Sequence, residues 1–133
     1  MNFMKYIEQN LTNGNKVLLV DDCISEISFV RNTLIELIQP YGKSQQEIIR
    51  QIKTRAKNTI PVIGSTIKYD DKAKRSSYEG IKLLFHVSEH FPNNQDFFIL
   101  SFESISAMKQ KEFGYIFNAT NIHLISYNYL ITS

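Results

Sequence analysis

Two adjacent carboxylate pairs, Asp21-Asp22 and Asp70-Asp71, and one hydroxyl, Ser101, each stand directly after a largely apolar run in this 133-residue chain. The runs are Val17 to Val20, the strand-like segment Ile60 to Tyr69, and Phe97 to Leu100. In a parallel sheet the C-terminal ends of the strands share one rim, so these chain-distant groups would converge there. Crowded carboxylates repel one another, and the crowding is tolerated when a cation or a proton compensates. Mg²⁺ is the natural partner, because it prefers oxygen ligands and keeps waters that a phosphoryl group can replace. A carboxylate in such a site can also act as a nucleophile and form an aspartyl phosphate. The plainer role for Asp22 is to cap the helical pattern of residues 25 to 38.

Positioning these groups takes alternating strands and helices. Val17-Leu18-Leu19-Val20 and Phe97-Phe98-Ile99-Leu100 are unbroken apolar runs, the pattern of strands buried on both faces. Phe3, Ile7 and Leu11 recur at helical spacing and stop at Asn13-Gly14, which predicts a short N-terminal helix. Ile27, Val30, Leu34, Leu37 and Ile38 trace one helical face that Pro40 ends. Ser44 and Glu47 have capping-box spacing ahead of a basic amphipathic helix with Ile48, Ile49, Ile52 and Ala56 as its stripe. Residues 60 to 69 read as one strand running to Asp70-Asp71, with a hairpin turn at Gly64-Ser65 as the competing reading. Ile81, Leu84, Val87 and Phe91 mark a further helix, residues 104 to 117 another, and Ile122 to Tyr129 a last strand. The order α-β-α-α-β-α-β-α-β with short connections predicts an α/β fold, an open parallel sheet with helices on both faces.

Composition narrows the classes further. Nine Phe and seven Tyr against three Pro and five Gly argue for a packed core rather than disorder. The single cysteine, Cys23, excludes an intrachain disulfide framework and any zinc site made of several thiolates. No stretch approaches the ~20 apolar residues of a membrane span, and the N-terminus lacks a secretory h-region, so a cytoplasmic protein with no membrane partner is expected. Charge is unevenly placed: residues 43 to 75 hold nine basic residues against three acidic, a net +6, and the remaining six basic and ten acidic residues give −4. Such a stretch is either a solvated face or a surface for an acidic protein or a phosphate backbone.

The runs now on the page resemble the receiver domains of two-component response regulators. Lys16 to Asp22 is similar to that family's first strand with its paired metal-binding acids. Glu79-Gly80-Ile81-Lys82-Leu83-Leu84 followed by His90-Phe91-Pro92-Asn93 resembles its third helix and the turn after it. Phe98 to Ser104 resembles the fourth strand, with Ser101 at the hydroxyl position that senses the phosphoryl group. The resemblance covers residues 16 to about 130 and implies a flavodoxin-like sheet, with residues 1–15 a helical extension and 16–133 the receiver-like domain. It implies Asp71 as phosphoacceptor, with Asp70 the alternative, Ser101 and Tyr129 as switch residues, and Mg²⁺ held by Asp21, Asp22 and Asp71. The implied partner is a histidine kinase or a phosphotransfer protein.

The departures from that pattern are equally specific. No regular second strand is evident between Pro40 and Ser44, and residues 72 to 79 lack a Met-Pro pair. The fifth strand has no lysine at the expected place, which falls on His123 or on Thr132 according to the alignment, and neither supplies a permanent charge. No last helix follows the fifth strand. The expectation is therefore a degenerate receiver that signals weakly or independently of phosphorylation and works by protein binding. A homodimer, a larger assembly or the N-terminal helix of residues 3 to 11 would cover the open flank of Ile122 to Tyr129.

Other chemistries have thinner support. Val-Leu-Leu-Val-Asp-Asp also opens the phosphate loop of phosphoribosyltransferases, but Cys23-Ile24-Ser25-Glu26 follows without a glycine. His86-Val87-Ser88-Glu89-His90 matches the H-x-x-E-H zinc-peptidase pattern, yet a third ligand is missing and a solvated helix face explains it. A binding domain is thus favoured over an enzyme. Cys23 reads as a small buried hydrophobe. The alternative from another class is a nucleic-acid-binding module using residues 43 to 75, with Tyr69 and Tyr78 available for stacking.

Overall fold

The structure is a computed structural model that describes residues 14–22, 35–72 and 74–126. Its strands are β1 (Lys16–Val20), β2 (Ile35–Ile38), β3 (Thr59–Gly64), β4 (Phe97–Ser101) and β5 (Ile122–Ser126). They form one sheet in the order β2-β1-β3-β4-β5, and every pairing is parallel. This is the strand order of flavodoxin-like doubly wound sheets, and it makes β3 a central strand.

The two unbroken apolar runs take the places expected of them. Leu18, Val20, Ile63, Phe97 and Ile99 face a core shared with the helices α1 (Gln45–Arg55) and α2 (Glu79–Val87). Val17, Leu19, Ile60, Val62, Phe98 and Leu100 point to the opposite face and are equally buried. Pro61 sits in central β3 at little cost. The Ser65 amide donates to Leu100, so by strand alternation the missing N–H of Pro61 points toward β4, one residue before that ladder begins at Val62↔Phe98.

Ser44 caps α1 as its spacing predicts, its Oγ accepting the Glu47 amide at 3.1 Å. Glu47 does not reach back to complete the box. It instead takes two Arg50 donors, at 3.0 and 2.6 Å, and one from Gln51, which hold its carboxyl at about 2. Ile48 and Ile52 are the wholly buried members of the α1 stripe.

Three expectations are corrected. First, a regular second strand exists, and it precedes Pro40. Ile35 to Ile38 pair with Val17 to Val20, where the sequence pattern had continued a helix to Ile38. The helical stripe required Leu37 and Ile38 on one face, but Ile38 is buried and Leu37 exposed, the period of a strand. Second, β3 stops at Gly64 and does not run to Asp70-Asp71; a turn at Ser65-Thr66 carries the chain away. Third, residues 104 to 117 are not one helix. α3 (Ile105–Lys109), capped by Ser104, is followed by a turn and a 3₁₀ segment, Gly114–Asn118. The reversal brings Gly114 against Lys109, where an added Cβ would lie 2.1 Å from the Lys109 carbonyl oxygen. The N-terminal helix over residues 3 to 11, most of the 1–15 extension, the helical pattern of residues 25 to 34, Cys23 and the residues from Tyr127 onward lie outside the described residues.

The N-terminus of α2 is pressed onto the end of β3. The Gly80 amide donates to the Ser65 carbonyl at 3.1 Å, and a Cβ on Gly80 would stand 1.7 Å from the Gly64 carbonyl oxygen. Only backbone fits there, and backbone cannot rotate aside as a side chain can. Gly80→Ala is expected to destabilise the protein by about 3 kcal/mol, the upper end of ordinary overpacking. Urea unfolding followed by circular dichroism measures this, with Gly42→Ala as a control at a glycine that has open space around it but a φ of +85°.

Candidate functional site at the carboxyl rim

Parallel pairing gathers the C-terminal ends of β1, β3 and β4 at one rim, and the polar residues there are buried. Asp21 is 0 % exposed, and Ser65 and Ser101 are 1 % exposed. The Ser65 amide bond to Leu100, at 2.9 Å, extends the β3–β4 ladder by one residue and brings Ser65 level with Ser101. Ser101 Oγ accepts the Glu103 amide at 2.9 Å. Ser65 Oγ is buried with no hydrogen-bond partner among the described residues.

Asp22 is held by a residue that the sequence did not place at the rim. Arg75, in the 3₁₀ turn Arg75–Ser77, reaches across the rim and forks onto both carboxylate oxygens, Nη1 to Oδ1 at 3.0 Å and Nη2 to Oδ2 at 2.9 Å. Nη1 also donates to the Thr66 carbonyl at 2.8 Å, and Oδ1 accepts the Lys68 amide at 3.2 Å. The Asp22 side chain is 6 % exposed and that of Arg75 45 %. A bidentate pair with one buried partner lies between the surface and interior cases and stabilises by roughly 1–3 kcal/mol.

Asp70 and Asp71 stand elsewhere, on the exposed loop beyond β3. Asp70 Oδ1 accepts the Lys72 amide at 2.9 Å, and Asp71 accepts the Tyr41 hydroxyl from the β2–α1 loop. That bond to Asp71 also raises the Tyr41 hydroxyl above its ordinary value. Among the described residues no group of three or more His, Cys, Asp or Glu side chains is placed to hold a metal ion. The donor set at the rim does not fit a divalent cation, because both Asp22 oxygens already receive guanidinium N–H groups.

His123 is not a rim residue. It lies opposite Phe98, with the two rings 5.1 Å apart, and its Nε2 is 2.8 Å from Asp96 Oδ1. The residue of β5 level with Ser101 is Ser126. Thr132 and Tyr129 fall outside the described residues. Of the H-x-x-E-H residues, His86 is exposed and His90 is 3.8 Å from Glu89.

A second cluster borders the rim. Tyr78 caps α2 in the left-handed region, φ 49° and ψ 51°, a backbone state costly for a bulky residue. Its hydroxyl donates to Glu103, its ring packs 4.9 Å from that of Phe113, and Lys111 Nζ stands 5.5 Å over the ring and 3.6 Å from Glu103. Partial burial and the Glu103 bond push the Tyr78 hydroxyl up, and Lys111 is raised by its contact with the Tyr78 hydroxyl and by the Glu103 charge.

Several cations of the basic segment are paired at the surface of this chain. Arg50 binds Glu47, Arg55 is 3.6 Å from Glu36, Arg75 holds Asp22, and Lys43 Nζ donates to the Gln39 carbonyl. Lys53 and Lys57 line an open polar cleft of about 620 Å³ at the opposite end of the strands, with His90 and Asn94. Among the described residues no helix is long and apolar enough to cross a membrane. No family model matches this chain, and no curated protein or solved structure matches it significantly.

Ser65 and Glu103 were not singled out by sequence reasoning, and Arg75 and Tyr78, which it placed on or beside the basic segment for contact with nucleic acid, instead bind Asp22 and Glu103. The one signal for Arg75 was the basic character of residues 72 to 75; its partner lies 53 positions away. Tyr69, within the loop that Arg75 straps down, accepts the Gly42 amide through its carbonyl and packs against the core. Burial, and secondarily the Glu79 carboxylate, push its hydroxyl up to about 12. A folded value above the unfolded 10.0 means a stability contribution fully present below pH 10 and lost as pH rises to about 12. Spectrophotometric titration is expected to show one tyrosine ionising near pH 12, and Tyr69→Phe to remove that step and flatten the fall in stability across the same window.

Proposed function

We propose that the protein is a cytoplasmic, receiver-like protein-interaction domain that works without phosphotransfer at its carboxyl rim. The carrying observation is the position of the expected acceptor. Asp71 lies on an exposed loop seven residues beyond the end of β3 and is engaged by Tyr41, while Gly64-Ser65 occupies the strand end beside Ser101. Aspartyl phosphate chemistry needs the acceptor carboxylate beside the groups that neutralise the incoming phosphoryl charge. Here Asp22 and Asp71 are engaged by different partners, and the Arg75 guanidinium at the rim forks onto both Asp22 oxygens.

Protein binding is supported by exposed apolar side chains. Phe85 on α2 and Tyr115 in the 3₁₀ segment Gly114–Asn118 are both exposed and lie 6.4 Å apart in a stacked arrangement. Phe102 and Ile105 are exposed at the start of α3, next to the Tyr78–Glu103 cluster. Aromatic side chains in such positions contribute strongly at protein interfaces. The pairing of Arg50, Arg55 and Arg75 with carboxylates of this chain weakens the nucleic-acid reading of residues 43 to 75, since paired guanidiniums release fewer counterions from a phosphate backbone.

Incubation with a small phosphodonor and Mg²⁺, followed by intact-mass measurement, is expected to show no stable phosphoryl adduct. A lasting adduct mapped to Asp70 or Asp71 that altered affinity for a protein partner would overturn the reading.

A further inference from the structure

The fork between Arg75 and Asp22 places a fixed cation where the receiver resemblance implies a mobile one. Both Asp22 oxygens receive guanidinium N–H groups, at 3.0 and 2.9 Å, and Oδ1 additionally accepts the Lys68 amide. A magnesium or manganese ion would need an oxygen of Asp22 at ~2.1 Å, inside the space the guanidinium fills. Two cations on one carboxylate would also repel, with little water present to screen them, because the Asp22 side chain is 6 % exposed.

We propose that Arg75 is the resident cation of the acidic rim, neutralising Asp22 in place of a divalent ion and strapping the segment from Thr66 to Arg75 across the end of β1. The strap is held by the fork itself, by Arg75 on the Thr66 carbonyl, and by the Lys68 amide on Asp22. A guanidinium stays charged at every physiological pH and is tethered to the chain, so the rim keeps one closed state whatever the surrounding Mg²⁺ concentration. A lysine would not serve equally, since one ammonium cannot engage two carboxylate oxygens and a carbonyl with the same planar geometry. The proposal rests on the rim geometry alone and holds whether or not the domain binds a protein partner.

Manganese chloride is the probe, because Mn²⁺ shares the oxygen preference of Mg²⁺ and broadens the NMR signals of nearby amides. Titrated into the ¹⁵N-labelled full chain at constant ionic strength, it is expected to leave the wild-type amides of Asp21, Asp22, Ser65 and Lys68 no broader than those of distant surface residues. In Arg75→Ala and Arg75→Gln the same amides are expected to lose signal selectively at low Mn²⁺, and added Mg²⁺ to raise the Tm of the variants but not that of the wild type. Selective broadening of the rim in the wild-type protein would overturn the proposal, and that measurement decides even where the variants do not fold. Folded variants with native amide dispersion and no Mn²⁺-dependent loss at the rim would overturn it as well.

Discussion

Burial of β3 on both faces is the constraint on which the rest of the structure depends. All six residues from Thr59 to Gly64 are buried, with β1 on one side and β4 on the other. A strand so enclosed must satisfy its backbone through its neighbours, which fixes the parallel register, and must emerge at the rim in a shape that α2 can meet. Gly64 and Gly80 make that meeting possible: with no side chain on Gly80, the first turn of α2 donates directly to the Ser65 carbonyl. Both ends of the connection between β3 and α2 are thereby pinned to the sheet, Ser65 to Leu100 and Gly80 to Ser65.

Electrostatics then closes the rim. Asp22 is tied by Arg75 and Glu103 by Tyr78, both from the connection between β3 and α2, while Asp71, on the exposed loop beyond the rim, is tied by Tyr41 from the β2–α1 loop. Each tie joins two segments distant in the chain, and at Asp22, 6 % exposed, the Arg75 guanidinium also neutralises the carboxylate, so that there neutralisation and loop positioning are one event. Tyr78 shows the cost of this arrangement, a left-handed backbone offset by its hydroxyl bond, its packing on Phe113 and the Lys111 ammonium over its ring. A surface whose loops are already held loses little entropy on meeting a partner, which suits recognition better than a chemical step that requires charge to come and go.

The parts of this protein legible in one dimension are those decided by local physics. Val17 to Val20 and Phe97 to Leu100 are apolar at every position, so burial on both faces is their only favourable fate, and Ser44 caps α1 because its hydroxyl and the Glu47 amide are three residues apart whatever the tertiary context. Ile35 to Ile38 were not legible, because Leu34, Leu37 and Ile38 satisfy a helical period as well as they supply residues for a strand, and pairing with β1 settles the choice. The break between α3 and the 3₁₀ segment was hidden for a related reason, since Gly114 is unremarkable in sequence until the chain folds back onto Lys109. At the rim the sequence by itself determined that Asp21-Asp22 would follow the apolar run of β1 and Ser101 that of β4. Which acids share a site, and what neutralises them, was decided only by the path of the loop after Gly64, because the pairing of Asp22 with Arg75 spans 53 residues and no local rule reaches across that distance.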